Sequence, residues 1–207
     1  MTRRIAAVLA IARPVAGAPP GIDEQAFARA MVEDTADLLG ELAHCEAAVV
    51  ASPPAYADEL RSLLWRSTPL LTVAAGDSAA TTHAALAALH TMGADEAVLL
   101  AADAPDLPGL LVGKLFSALT SADVAVCPAD SGLVALAARL PLAQWAVAAD
   151  VGLDTMQAHG LLAAAAPRPD ALVVVSGWHR LRSPADIAAL DYGLEGWDAT
   201  RALLGGY

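Results

Sequence analysis

Short, uninterrupted apolar runs recur along this chain, each followed by a stretch of helical period, and this alternation limits the fold more than any other feature. The runs cover 5–11, 47–51, 70–74, 97–101, 124–127, 133–138 and 171–175. A strand buried on both faces reads as a continuous run instead of alternating with polar residues. Between the runs, Asp23 caps a helix whose Phe27, Ala30, Met31, Leu38 and Leu42 share one face, and a second helix is expected over 55–65. Asp77 or Ser78 caps a third, which carries Ala84, Leu86 and Leu89 and stops near Gly93. Further helices are expected over 108–119, 154–164 and 183–190, the last with Ser183 at the cap and Pro184 at its first position. Runs 124–127 and 133–138 stand so close that the turn Pro128-Ala129-Asp130-Ser131-Gly132 must join them as a hairpin. The pattern predicts an α/β fold with three αβα layers and a mostly parallel central sheet.

The core implied by these runs is unusual in its materials. Hydrophobic residues make up 57% of the chain but aromatics only 4%, so Ala, Val and Leu must fill it with backbones packed closely. At 207 residues the chain suits a single domain, 1–207, with enough buried surface to need no staples. Cys45 and Cys127 show no paired spacing and fit a reducing compartment. Arg3 and Arg4 followed by an apolar run resemble a secretory leader, but Arg13 interrupts that run early and 5–11 reads better as a first strand. With no apolar run of about 18 residues, the expectation is a cytoplasmic chain without a membrane span. A net charge of -11 disfavours nucleic acid and anionic membranes as partners. A small anionic ligand remains compatible where local cations or a metal override the average, and a homo-oligomer is compatible too.

Ligands of such sheets bind outside the carboxyl ends of the strands. There the run at 97–101 ends in Ala102-Asp103-Ala104-Pro105-Asp106-Leu107-Pro108. Asp106 suffices to start the next helix, which leaves Asp103 without a structural duty. Two carboxylates three residues apart on a turn can ligate Mg²⁺ together with phosphate oxygens; alternatively, Asp103 bonds the amides of its own turn.

The segments "GADEAVLLAADAPDLP" and "SADVAVCPADSGLVALAARLP" resemble the small GT-A-fold proteins of the nucleotide-diphospho-sugar transferase type, in particular the group related to 2-phospho-L-lactate guanylyltransferase. The likeness continues in "ARPVAGAPPG" after the first strand, "AFARAMVEDTADLL" with its Asp-Thr pair, "AAGDSAATTHAAL" and the closing "RSPADIAAL". The resemblance implies a nucleotide or nucleotide-sugar held over the first four strands and a nucleotidyl or glycosyl transfer. Asp103 is then the catalytic, metal-binding acid, with Mg²⁺ or Mn²⁺ as the cofactor. It places base and ribose against Ala10, Ile11 and Ala12 and against Gly76 and Asp77, the last two serving alternatively as a plain helix cap, with Arg13 left near the phosphates.

Three departures alter that expectation. The basic Lys-Thr-Arg-Leu loop of the family is here "PVAGAPPG", without a cation, and its Asp-Gly-Gly is reduced to Asp130-Ser131-Gly132. Where the family has an Asp-Val-Asp that supplies a second metal carboxylate, this chain has Arg180-Leu181-Arg182. An arginine facing Asp103 satisfies it by an ion pair and repels a divalent ion, so Arg180 or Arg182 is expected to replace the metal or to bind an anion. The alternative function is then a non-catalytic binding or interaction protein of the same fold. His83 and His90 share a helix face without a metal partner at ligand spacing, and Ser176-Gly177-Trp178-His179 lacks a nucleophile elbow.

Overall fold

The computed structural model describes residues 2–12 and 17–205. Seven strands form one sheet: β1 (Arg4–Ile11), β2 (Glu46–Ser52), β3 (Leu70–Thr72), β4 (Glu96–Ala101), β5 (Val124–Pro128), β6 (Leu133–Arg139) and β7 (Leu172–Val174). Their spatial order is β3-β2-β1-β4-β6-β5-β7. All pairs are parallel except those of β6, which runs antiparallel to both β4 and β5. The hairpin expected from the Pro128–Gly132 spacing is therefore present, and it brings in the one reversed strand of an otherwise parallel sheet. Register sets Leu9 of β1 beside Ala101 of β4, so both strands deliver their carboxyl ends to the same edge.

Helices cover both faces. On one side lie α1 (Glu24–Gly40), α2 (Ala57–Leu60) and α4 (Gly109–Ala118), packing Val32, Leu39, Leu60, Leu111 and Phe116 onto the sheet. On the other lie α3 (Ser78–Thr91), α5 (Gln144–Ala148) and α6 (Ala158–Ala165), which contribute Ala85, Leu86, Leu89, Ala146 and Leu162. The inner residues of β1 and β4 are almost all Ala, Val and Leu at or near zero exposure, as the scarcity of aromatics requires. No helix among the described residues is long and apolar enough to cross a membrane.

The structure corrects several expected helices. Over 55–65 only a 3-10 turn (Pro54–Tyr56) and the four-residue α2 form. The helix expected from 154 starts at Ala158, after a left-handed Gln157, and 183–190 is a 3-10 helix over Pro184–Ala189. The chain closes with a helix the periodicity does not announce, α7 (Asp198–Leu204), packed on α1. It belongs to a third apolar cluster in which Phe27, Met31, Leu181, Leu190 and the fully buried Trp197 meet. Asp34 of α1, nearly inaccessible, accepts the amide protons of Ala199 and Thr200, both at 2.8 Å, and so caps the first turn of α7 from 165 residues away.

Candidate functional site

Asp103 stands two residues beyond β4, and its surroundings come from two segments brought to the carboxyl edge of the sheet. The first is the extended stretch after β7, fixed by Trp178 N donating to Pro128 O (3.0 Å) and Leu181 N donating to Asp103 O (2.7 Å). That pairing turns Arg180 inward, where its side chain is only 3% exposed. Its Nε donates to Asp103 Oδ1 at 2.5 Å and its Nη2 to Asp103 Oδ2 at 2.9 Å, a bidentate fork. Nη1 donates to the carbonyls of Leu133 and Leu153, each at 3.0 Å.

The second segment carries Asp154. Hydroxyls of α3 hold it: Asp154 N donates to Ser78 Oγ at 2.8 Å and Leu153 N to Thr82 Oγ1 at 3.2 Å. Two glycines allow the approach. A Cβ on Gly152 would stand 2.1 Å from Ser78 O, and one on Gly132, whose φ is +88°, 2.3 Å from Leu153 O. Asp154 Oδ1 then meets Arg180 Nη2 at 2.8 Å and Arg182 Nη1 at 2.9 Å, while Arg182 Nη1 reaches Asp103 Oδ2 at 3.2 Å. Among the described residues, two acids and two arginines thus meet in a quartet. Burial alone would lower the Arg180 pKa, but Asp103 and Asp154 outweigh it and hold the group above the ordinary arginine value. Arg182 is the more accessible cation, 30% exposed.

The quartet forms one end of a pocket of about 260 Å³, whose apolar walls include Leu9, Ile11, Met31, Val32 and Leu181. Ile11, Asp103, Arg180 and Arg182 line it, as does Asp154, which the sequence reading passes over as the start of a helix. Ala10 is sealed in the core beneath, and Ala12 continues the edge by donating to Ser52 O at 2.8 Å. Gly76 and Asp77 lie outside the lining; the Asp77 carboxylate caps α3 through Ala80 N at 2.8 Å, and Ser78 of the same turn enters the pocket. Arg13 lies outside the described residues.

Two expectations about the turn are corrected. Asp106 does not cap α4, whose N-cap is Pro108. Its buried carboxylate instead accepts from Trp178 Nε1 (3.2 Å) and Asp191 N (3.0 Å) and pairs with His179 Nε2 (2.9 Å). Asp103, for its part, has a structural duty to Arg180. The two acids of the turn therefore do not converge on a common cation, and no group of three or more His, Cys, Asp or Glu arranged to hold a metal occurs among the described residues.

No family model and no curated protein matches the chain. Solved structures do. A candidate nucleotide-diphospho-sugar transferase from Desulfovibrio desulfuricans superposes with a TM-score of 0.72 at 17% identity, over 100% of this chain and 99% of that one. A CMP:2-keto-3-deoxy-manno-octonic acid synthetase complexed with CTP gives 0.60 at 12% identity, over 99% of both chains. A Mycobacterium tuberculosis protein, Rv0371c, in complex with manganese gives 0.53 at 18% identity, over 100% of both. The strand order, the reversed β6 and the site at the shared carboxyl edge lead to the same conclusion as these superpositions: the chain has the nucleotide-diphospho-sugar transferase-like fold.

Proposed function

We propose that the chain is a divergent nucleotidyl- or glycosyltransferase-like protein that binds a nucleotide or nucleotide-sugar at the Asp103 edge of the sheet, with arginine in place of a divalent ion. One observation carries this reading: the bidentate Arg180–Asp103 pair, joined by Arg182 and Asp154. Mg²⁺ needs carboxylate oxygens at about 2.0–2.1 Å, and Ca²⁺-like or Mn²⁺-like ions similarly require an oxygen shell. Here both Asp103 oxygens accept guanidinium protons, so the donor set does not fit such an ion. Arg182, 30% exposed at the pocket wall, brings a positive charge to where a phosphate would bind. The match of a neighbouring fold to a CTP complex supports the nucleotide class.

Calorimetry with nucleoside triphosphates and nucleotide-sugars, in EDTA and in Mn²⁺, tests this. Weak binding, unchanged by EDTA and lost on Arg182→Ala, is expected of an acidic chain with few cations at its pocket. Binding that disappears in EDTA, or Mn²⁺ bound directly to Asp103, overturns the reading. The same saturated carboxylates favour a second reading, a binding protein without turnover; bound nucleotide-sugar released unchanged after prolonged incubation with candidate acceptors selects it.

A further inference from the structure

Three apolar clusters of the core meet at the pocket. Among its lining residues, Leu9 and Leu153 belong to the cluster under α3, Val32 and Tyr56 to the one under α1, α2 and α4, and Met31 and Leu181 to the one that holds Trp197. Elsewhere these clusters close to near-zero exposure, but at their junction about 260 Å³ stays open. Alanines keep it so: Ala28 of α1 and Ala101 and Ala102 at the end of β4 line the gap, and each stops at its Cβ. An unfilled apolar void costs stability in proportion to its volume, and such voids take up apolar molecules, one of about 150 Å³ admitting benzene. The protein already uses much of the polar lining. Ser78 Oγ accepts from Asp154 N at 2.8 Å and Thr82 Oγ1 from Leu153 N at 3.2 Å, while the donors of Arg180 go to Asp103, Asp154 and the carbonyls of Leu133 and Leu153. The hydrogen-bonding edge of a nucleobase would lose water there for little return, whereas an apolar group has no such loss.

We infer that the gap is a subsite for a small apolar group, an alkyl chain or a single aromatic ring, whose anionic head stands at Arg182; the ligand class is a hydrophobic phosphate monoester. The subsite goes beyond the nucleotide reading and shares with it only the Arg182 end. The volume of about 260 Å³ falls short of the roughly 300–1,000 Å³ of whole drug-sized ligands, so one short chain or one ring is enclosed and the head remains at the accessible arginine. Seated there, the apolar group joins the three clusters into one and removes the void between them.

Calorimetry tests this with inorganic phosphate and ethyl, butyl, hexyl and octyl phosphate as probes, and CMP as the nucleotide. The proteins are wild type and two variants at half-buried lining positions, Ala28→Leu and Ala102→Val, with melting temperature as the control for folding. In wild type, affinity should rise about fourfold for each methylene enclosed and level off once the chain outgrows the pocket. Each folded variant should bind inorganic phosphate as wild type does and level off at a shorter chain. If hexyl phosphate binds wild type no tighter than inorganic phosphate does, the subsite is refuted without recourse to a variant. A series that rises equally in wild type and both variants puts the apolar group elsewhere and refutes it too. A rising series without CMP binding keeps the subsite and removes the nucleotide reading; CMP binding with a flat series does the reverse, and failure of every probe to bind removes both.

Discussion

Replacing Arg180 by methionine removes a guanidinium from the quartet while keeping most of the side chain's volume. Asp103 and Asp154, at 12% and 16% exposed, then lose the Arg180 fork, and the carbonyls of Leu133 and Leu153 lose a donor. Breaking a buried pair by removing one partner destabilises by about 3–5 kcal/mol, which for a chain of this length lowers the melting temperature by about 6–20 °C. Thermal and urea denaturation followed by circular dichroism measure it. The double change Arg180→Met with Asp103→Asn removes one charge of each sign while keeping the Arg182–Asp154 pair at 2.9 Å, and it should recover most of the loss. If the single variant melts within about 2 °C of wild type, the quartet contributes little and the reasoning about a buried, mutually dependent cluster is wrong.

Gly152→Ala should destabilise by about 1–3 kcal/mol and weaken ligand binding as well, since the new methyl meets Ser78 O and must displace the segment bearing Asp154; denaturation and calorimetry on the same sample check both effects. Burial raises the Asp34 pKa above its ordinary 3.8, against the hydrogen bonds from Thr200 and Ala199. The native state therefore binds its proton at higher pH than the unfolded chain, and the contribution to stability falls as pH rises from 3.8 to the native value, then stays level. Asp34→Asn should flatten that part of the pH profile measured by urea unfolding. Burial pushes the Cys127 thiol up to about 12, so iodoacetamide at pH 8 should modify the half-buried Cys45 first, as peptide mass mapping would show.

The layers of the fold are legible in the chain because a doubly covered strand leaves a continuous apolar run, and each of the seven runs corresponds to a strand. Where short-range rules fail, a distant partner decides. Asp106 looks like a helix cap by spacing, yet Trp178, His179 and Asp191 claim its carboxylate from more than seventy positions away. Arg180 and Arg182 stand out as a reversal of the expected charge. Asp154 does not, since nothing local distinguishes it from a cap; charge balance is the available signal, as two inward arginines require a second acid beside Asp103. Helix α7 escapes the periodicity because its seven residues are too few, and its start is satisfied by Asp34 instead of by a neighbouring Ser, Thr, Asn or Asp.

Asp103 and Arg180 lie 77 positions apart, which has a consequence for a chain made from one end to the other. At roughly 5–20 residues per second, the acid leaves the ribosome about 4–15 s before the arginine that neutralises it. Strands β1 to β6 are all complete by Arg139, so the sheet can assemble during this interval with its central edge still lacking the Arg180 fork. That edge must remain wet until the strap bearing Arg180 arrives. The Asp103 end of the pocket is thus closed only after the sheet strands exist, and a nascent chain stalled before residue 180 presents an open sheet end to whatever chaperone meets it.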